Sequence, residues 1–225
     1  MKALIFDLDG TLVDSVYAHT LAWQRVLAGF GLPSPACVIH RRIGLSGELL
    51  VKAVAREHHR SLRMADVKQL EKKHKALLHK LAPVSPPLPG AKEILAHLHK
   101  ARIPHGIATS GKRSELKRSM DALALSPSAV VIDGDMVSEV KPEPEIFLLC
   151  QQQLQVEAAQ CLVVGDAVWD VHAARRAGIL SVGLLTGGTS AQELYNAGAM
   201  RVFRDAAELL SEIDELGVKG GGPGG

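Results

Sequence analysis

Two aspartates follow the first apolar run of the chain at a spacing that lets them act together. The run Ala3–Phe6 leads directly to Asp7, Leu8, Asp9 and Gly10. Because side chains alternate along a strand, Asp7 and Asp9 point the same way, and two neighbouring carboxylates repel each other unless a cation or a proton intervenes. The pair therefore favours a charged site at a strand end. The alternative is a polar turn, which any isolated D-x-D pair fits.

Three more polar groups stand near the points where other apolar runs end. Those runs are Gly106–Ala108, Ala129–Ile132 and Leu162–Val164, and the polar residues that follow them are Thr109 with Ser110 and Gly111, Lys141, and Asp166 with Asp170. A hydroxyl followed by loop amides is suited to hold a phosphate oxygen. Taken one at a time, each group has a structural explanation, as a helix N-cap, a solvated loop charge or a turn. Together, four acids, a hydroxyl and a lysine predict a site for Mg²⁺ and a phosphate group, because Mg²⁺ prefers oxygen ligands.

The apolar runs also indicate the architecture that positions these groups. A fifth run lies at Leu180–Leu185, and helix-like sequence separates each run from the next. Residues 91–98 repeat apolar side chains at the helix period, and Ser190 with Glu193 offers a capping box for another helix. Strands that alternate with helices form a parallel sheet, and nearly continuous apolar runs fit strands covered on both faces. We predict an α/β fold with an open, parallel, doubly wound, Rossmann-like sheet that binds ligands beyond the carboxyl ends of its strands.

One segment interrupts the alternation of strands and helices. From Ser15 to about Leu81 the sequence has helix periodicity and no strand pattern. The segment from Pro83 to Gly90 holds four prolines, cannot continue a helix and suits a stiff hinge. We predict an all-helical cap inserted after the first strand. The predicted limits are 1–14 and 85–217 for the core, 15–84 for the cap, and 218–225 for a flexible Gly-rich tail that buries nothing.

In order and setting, these groups resemble the four motifs of the haloacid dehalogenase superfamily. The matching residues are the segment Phe6–Ser15, Thr109, Lys141 with Pro142, and Gly165 with Asp166 and Asp170. The resemblance covers nearly the whole chain, to about Leu216. It is greatest for the branch of the phosphoglycolate phosphatases and β-phosphoglucomutases, in which a helical cap is inserted after the first motif.

The resemblance implies catalytic roles for the matched residues. Asp7 would attack phosphorus and form an aspartyl-phosphate. Asp9 would protonate the leaving oxygen and then deprotonate the hydrolytic water. Thr109 and Lys141 would hold the transferring phosphoryl oxygens. Members of the superfamily that attack carbon lack the second acid of the first motif, so the presence of Asp9 implies phosphoryl transfer rather than dehalogenation.

The resemblance also implies a magnesium site. Mg²⁺ would be held by the Asp7 carboxylate, the Asp9 backbone carbonyl and Asp166, with Asp170 in close support. The charge of the ion would let an anionic nucleophile approach an anionic phosphate.

Two cap positions, His19 and Ser46, are candidates for substrate binding. His19 stands where a histidine often helps the acid–base residue of the mutases; alternatively, His19 and Trp23 only pack on one helix face. Ser46 lies in a loop that resembles the specificity loop of the branch. After this serine the mutases place an arginine that grips a second phosphate, whereas this chain has Gly47. Hydrolysis is therefore favoured over isomerisation, although an arginine at 41–42 could compensate.

The composition excludes several other classes of protein. The chain has 225 residues, of which 47% are hydrophobic and 22% charged, and its apolar runs fall short of a membrane span. Its net charge is +2, and its three cysteines include no C-x-x-C pair, which argues against a disulfide framework and a zinc ribbon. Without a signal-peptide pattern, we expect a cytoplasmic protein, monomeric or weakly dimeric, with no membrane or nucleic-acid partner.

A basic stretch in the cap leaves one further class of function open. Between Lys52 and Lys80, nine lysines and arginines face three acids. This stretch could attract anionic substrates or nucleic acid, although a solvated helical face explains it more simply. We predict a magnesium-dependent phosphatase for a small phosphorylated metabolite such as phosphoglycolate or a sugar phosphate. The alternatives are a phosphosugar mutase and a non-catalytic module that binds phosphate or nucleic acid.

Overall fold

A single parallel sheet organises the larger part of the molecule. The computed structural model of the chain describes residues 1–126 and 128–218. Its strands are β1 Ala3–Phe6, β2 His105–Ala108, β3 Val130–Ile132, β4 Cys161–Gly165, β5 Leu180–Leu184 and β6 Arg201–Phe203. The first five confirm the predicted strands to within one residue at each end. β6 has no counterpart among the predicted strands, because Arg201 opens it and leaves only two apolar residues.

Helices cover both faces of this sheet. The α-helices of the described chain are α1 Val16–Gly29, α2 Ala36–His40, α3 Gly47–Glu57, α4 Met64–Leu81, α5 Ala91–Lys100, α6 Arg113–Leu123, α7 Glu145–Leu154, α8 Val168–Arg176, α9 Ala191–Ala197 and α10 Ala206–Ser211. In β1, Leu4 and Phe6 face the cluster formed with α5, α6 and α10, while Ala3 and Ile5 face α7 and α8. The doubly wound sheet that the nearly continuous apolar runs predict is confirmed.

The two detailed helix predictions are also confirmed. Helix α5 buries the apolar side chains of its predicted stripe, including Ala91, Leu95 and Leu98. At the start of α9, Ser190 Oγ accepts a hydrogen bond from the Glu193 backbone N–H at 3.3 Å, and Glu193 Oε2 accepts one from the Ser190 N–H at 3.2 Å. These reciprocal bonds form the capping box.

Helices α1 to α4 form the inserted helical cap that the sequence predicts. They share a hydrophobic core of their own, with Trp23, Leu27, Leu50, Val54 and Leu70 among its buried residues. The two connections to the sheet run side by side, because the Asp14 N–H donates to the Pro86 carbonyl at 2.9 Å and the Leu88 N–H to the Leu12 carbonyl at 2.9 Å. The exact limits predicted for core and cap stay a prediction.

The prediction that residues 218–225 form a tail that buries nothing is wrong at its first residue. Val218 is 1% exposed and belongs to the main core cluster, because the turn at Gly217 carries the chain back beside Met1. Residues 219–225 lie outside the described part of the chain. Among the residues described, no helix combines the length and the apolar character that crossing a membrane requires.

The strand order creates one crevice suited to a ligand. The sheet runs β3-β2-β1-β4-β5-β6, so the chain builds outward from β1 first in one direction and then in the other. In open α/β sheets, ligands bind beyond the carboxyl ends of the strands at such a reversal. Most of the polar groups predicted from the sequence follow β1, β2 and β4, which are neighbours at this point, and Lys141 comes from the loop after β3.

Candidate active site

A buried lysine joins two of the carboxylates beneath the crevice. Asp7 follows β1, and Lys141 enters from the loop between β3 and α7. Lys141 is fully buried, forms an ion pair with Asp7, and places its Nζ 2.8 Å from Asp170 Oδ1. The alternative that Lys141 is only a solvated loop charge is therefore wrong.

Short contacts also hold the carboxylates of Asp166 and Asp170 in place. Thr11 Oγ1 donates to Asp166 Oδ1 at 2.8 Å. Asp170 Oδ2 accepts from the Ala167 backbone N–H at 3.0 Å, so this residue also caps the start of α8, as one interpretation of the sequence suggested. Any side chain at Gly187 would overlap the Asp166 carboxylate. Both carboxylates therefore have little freedom to move.

The carboxylates form a cluster with more negative than positive charge. One oxygen from each of Asp7, Asp166 and Asp170 lies within 4.8 Å of the other two. Burial raises the pKa of Asp7 to about 7, with Lys141 opposing and Asp170 and Asp9 adding to the rise. Burial, with Asp170 and Asp7, raises the pKa of Asp166 well above its ordinary value. Because one lysine cannot offset three buried acids, this all-oxygen cluster fits a divalent cation.

Asp9 lies apart from this cluster and has its own partners. Its Oδ1 accepts a hydrogen bond from Ser15 Oγ at 2.6 Å, and His19 Nε2 lies 3.7 Å from the same atom. Although burial opposes the shift, His19 and Ser15 hold the pKa of Asp9 below its ordinary value. Asp9 is thus an ionised proton acceptor in the free protein. The predicted role of its backbone carbonyl in holding Mg²⁺ stays a prediction.

The loop after β2 places one hydroxyl at the crevice and another against the cap. Thr109 is buried, and its Oγ1 accepts a hydrogen bond from the Gly111 N–H at 3.0 Å. Ser110 Oγ donates to the Gly44 carbonyl of the cap at 3.0 Å. Helix α6 begins only at Arg113, whose backbone N–H donates to Asp135 Oδ2 at 3.1 Å, and its N-cap residue is Lys112. The alternative that Thr109 or Ser110 is the N-cap of this helix is therefore wrong.

A cavity of about 110 Å³ separates these core residues from the cap. Its core side is formed by Asp7, Asp9 and residues 109–112, and its cap side includes His19, Ser46, Glu71 and His74. The candidates Thr109, Ser110, Gly111, His19 and Ser46 therefore share one cavity, with Lys141, Asp166 and Asp170 beneath its floor. Glu71 and His74 were not among the candidates, because nothing in the periodicity of α4 shows which of its polar residues face a ligand.

Three rings pack together on the cap side of the cavity. The ring centroids of Trp23 and His74 are 4.0 Å apart and those of His19 and His74 are 5.1 Å apart. His19 and Trp23 therefore share a packing face, and His19 also approaches Asp9. His74 is buried, and among the described residues its Nε2 has no hydrogen-bond partner. Burial and the nearby His19 hold the pKa of His74 well below its ordinary value.

The cap loop at 43–47 leaves space at the cavity for an acidic side chain of α4. Ser46 Oγ accepts a hydrogen bond from the Leu49 N–H at 3.2 Å and so caps α3. A Cβ atom at Gly47 would lie 2.9 Å from Glu71 Oε1, so Glu71 occupies the space beside this glycine. Lys112 Nζ donates to the other oxygen, Glu71 Oε2, at 3.1 Å, which links cap and core across the cavity.

The cap is seated on the core by contacts between side chains and backbone. Trp169 Nε1 donates to the Arg41 carbonyl at 2.9 Å, and His40 Nε2 lies 2.7 Å from the Gly187 carbonyl oxygen. Gly187 itself packs directly on Asp166. The contact from His40 therefore leaves only Gly187 between the cap and the carboxylate cluster.

Arg41 and Arg42, which directly precede the cap loop, do not take the place of the arginine that follows the position of Ser46 in the mutases. Arg41 pairs with Glu193 of α9 at 3.4 Å, and Arg42 pairs with Glu57 at the end of α3. Neither arginine lines the cavity.

The chain matches a family model over most of its length. The model for "Haloacid dehalogenase-like hydrolase" matches residues 4–184. Among solved structures, a hydrolase from Pseudomonas syringae is 39% identical, with a TM-score of 0.91, and the match covers 96% of this chain and 99% of that one.

Three characterised relatives differ in the reactions that their names state. The validoxylamine A 7'-phosphate phosphatase of Streptomyces hygroscopicus subsp. limoneus is 36% identical over 96% of this chain and 95% of its own length. The phosphoglycolate phosphatase of Rhodospirillum rubrum is 34% identical, with coverages of 92% and 89%. The β-phosphoglucomutase of Bacillus subtilis is 28% identical, with coverages of 95% and 93%. The chain is thus similar to both phosphatases and a mutase.

Proposed function

Because the chain belongs to the haloacid dehalogenase-like hydrolases, we propose that it is a magnesium-dependent phosphatase for a small phosphorylated metabolite. The observation that carries this proposal is the buried ion pair of Asp7 and Lys141, whose Asp7 member lines the cavity together with Asp9. A carboxylate nucleophile needs a cation that brings it to a phosphate anion, and a leaving oxygen needs a proton donor within reach. The names of two of the relatives support the same reaction.

In the first half of the proposed reaction, an Asp7 oxygen forms a bond to phosphorus and the bond from phosphorus to the leaving oxygen breaks. Lys141 and Thr109 stabilise the negative charge on the phosphoryl oxygens. Asp9 gives its proton to the leaving oxygen. Asp9 takes up this proton from solvent as the substrate binds, because the approach of a phosphate dianion raises its pKa, which lies below its ordinary value in the free protein.

In the second half, Asp9 acts in the opposite direction. It removes a proton from a water molecule, which attacks phosphorus and releases inorganic phosphate with the Asp7 carboxylate restored. The hydrogen bond from Ser15 and the nearby His19 stabilise the ionised form of Asp9 that this step requires.

The carboxylate cluster is where this chain would hold Mg²⁺. The ligands would come from Asp7 and Asp166, with Asp170 supporting them through its contact with Lys141. When bound, the ion supplies positive charge that offsets the repulsion between the acids and the phosphate. The Thr11 hydrogen bond and the tight packing of Gly187 keep Asp166 oriented for this task.

A phosphosugar mutase is the second candidate function. The approach of His19 to Asp9 favours it, since the resemblance gives this position a role in the mutases. Gly47 argues against it, because Glu71 lies where a mutase would need a positive charge for a distal phosphate. Hydrolysis therefore remains the first candidate.

The test is release of inorganic phosphate from p-nitrophenyl phosphate and from a panel of phosphorylated metabolites, with Mg²⁺ and with excess chelator. We expect magnesium-dependent release, and activity that chelation leaves unchanged would contradict the proposal. Incubation with β-glucose 1-phosphate and a trace of the bisphosphate separates the two candidates. Rapid formation of glucose 6-phosphate with negligible free phosphate would favour the mutase.

A further inference from the structure

The cap side of the cavity, hereafter the cap wall, is formed by residues such as His19, Ser46, Glu71 and His74, and it carries the carboxylate of Glu71. Glu71 reaches the cavity because Gly47 has no side chain, and a Cβ at this position would lie 2.9 Å from Glu71 Oε1 and 3.1 Å from Trp23 Cζ2. The Glu71 side chain is 22% exposed, so its carboxylate is partly withdrawn from water. Its charge is therefore less screened than that of a surface residue.

The groups around Glu71, on the cap and on the core side of the cavity, do not reverse this charge. Lys112 pairs with Glu71 at 3.1 Å, so a second anion in the cavity would compete with Glu71 for this lysine. His74 is neutral, since burial holds its pKa well below its ordinary value. Ser46 adds only a hydroxyl. A carboxylate and neutral polar groups offer hydrogen bonds to a hydroxyl and repulsion to an anion.

We propose that Glu71 makes the cavity selective for phosphomonoesters whose leaving group carries hydroxyl groups and no second negative charge. Glu71 would accept a hydrogen bond from a hydroxyl of the leaving group and repel a carboxylate or a second phosphate there. This inference rests on the proposed phosphatase function and names the substrate class for it. Phosphorylated polyols and sugars fit the class, and phosphoglycolate does not.

The selectivity applies to leaving groups that stay within the cavity. Beyond Asp9 and His19 a second opening, of about 630 Å³, runs between α4 and α6, and Lys72, Lys75 and Lys117 line it. A long substrate could place an anion there. The test therefore uses two small esters that cannot reach these lysines.

The matched substrates are 2-phosphoglycolate and 2-hydroxyethyl phosphate, which differ by a carboxylate in place of a hydroxymethyl group. We expect kcat/KM of the wild-type protein to be at least about tenfold higher for 2-hydroxyethyl phosphate, since a like charge close to an ionised group is unfavourable. p-Nitrophenyl phosphate, measured in parallel, reports phosphatase activity that does not depend on the selectivity.

Two variants shift this ratio in opposite directions. In Glu71→Gln the repulsion is removed, so we expect the preference to fall by about tenfold. In Lys112→Gln the Glu71 charge is no longer offset, so we expect the preference to increase. Glu57→Gln is the matched control, because it also removes a cap glutamate from an ion pair with a basic residue, but at a site that does not line the cavity. We expect its ratio to equal that of the wild type.

The outcomes distinguish a failure of the proposed selectivity from a failure of the proposed phosphatase function. A wild-type preference for 2-phosphoglycolate, or a preference that Glu71→Gln leaves unchanged, would overturn it while activity toward p-nitrophenyl phosphate left the phosphatase function standing. If the wild-type protein hydrolysed none of the three esters, the phosphatase function would fail and the inference with it.

Discussion

The floor and the cap wall of the cavity differ in how their residues are held. The floor residues Asp7, Lys141, Asp166 and Asp170 are at most 5% exposed, and each is fixed by the end of a strand, a helix start or an ion pair. The cap wall is made from side chains of helices and of one loop, such as Glu71 on α4 and Ser46 before α3, which are partly exposed. Asp7 and the cap wall line the same small cavity, and Lys141, Asp166 and Asp170 lie beneath it.

The difference indicates which part of the molecule tolerates amino-acid substitutions most easily. Removing the Lys141 charge from the floor would leave the buried carboxylates of Asp7 and Asp170 without their cation, which is costly in a low-dielectric interior. Cap residues can be exchanged on helices that do not contribute to the sheet. We infer that the floor determines the reaction and that the cap wall selects the leaving group.

The largest effect is expected from removing Asp7, the proposed nucleophile of the floor. Asp7→Asn keeps the shape of the side chain but makes it a poor nucleophile, so phosphate release should fall by on the order of 10⁴-fold or more. Circular dichroism should show an unchanged fold. Asp14→Asn removes an exposed carboxylate from the same loop and serves as the control, with activity close to wild type.

A second expected effect is a dependence of the thermal stability of the protein on pH when no metal is bound. Burial raises the pKa of Asp7 in the folded protein to about 7, from an ordinary value of 3.8. A carboxyl that binds its proton more tightly in the folded state stabilises the fold below its ordinary pKa, and this contribution is lost as the pH rises through 7. Asp166 shifts in the same direction. In chelator, the Tm of the wild type should therefore fall between pH 5 and pH 8.

Thermal melts of the wild type and of Asp7→Asn across this pH range test the prediction. The decrease in Tm should be smaller in Asp7→Asn, which lacks one of the two shifted carboxyls. Excess Mg²⁺ should raise the Tm of the wild type most at the high-pH end, where the carboxylates are ionised. Equal pH dependence in the two proteins would show that Asp7 does not carry this shift.

The smallest effect is expected at the contact between cap and core. Trp169→Phe removes the hydrogen bond from the indole to the Arg41 carbonyl, and one such bond contributes about 0.5–1.5 kcal/mol. We expect KM to rise by roughly two- to tenfold with little change in kcat, because the floor is untouched. Tyr195→Phe, an exposed aromatic residue of α9, is the control. A large loss of kcat in Trp169→Phe would show that the cap contributes to the chemical step.

Most of the floor could be predicted from the sequence, because each of its groups follows an apolar run or stands in a recognisable motif. Asp7 and Asp166 directly follow the strands that position them. The burial of Lys141 could not be predicted from local sequence alone, since lysines are seldom buried without partners and its partners lie far away in the chain.

The cap wall could be predicted only in part. Helix periodicity identifies the buried stripe of α4, but the position of Glu71 at the cavity depends on the absence of a side chain at Gly47 and on how α3 and α4 pack. The apolar pattern does not predict β6, because the strand begins with the charged Arg201. It places Val218 in the tail, because this residue stands in a glycine-rich part of the sequence. In each case, contacts between distant residues outweigh the local pattern.

The central claim is that Asp7 forms the covalent intermediate, and chemical trapping tests it most directly. The wild-type protein is mixed with p-nitrophenyl phosphate and Mg²⁺, quenched at successive times and reduced with borohydride, which converts an aspartyl-phosphate to homoserine. Peptide mass spectrometry should find homoserine in place of Asp7 at early times, and none in Asp7→Asn. Homoserine at another aspartate, or none at any time while phosphate is released, would contradict the account.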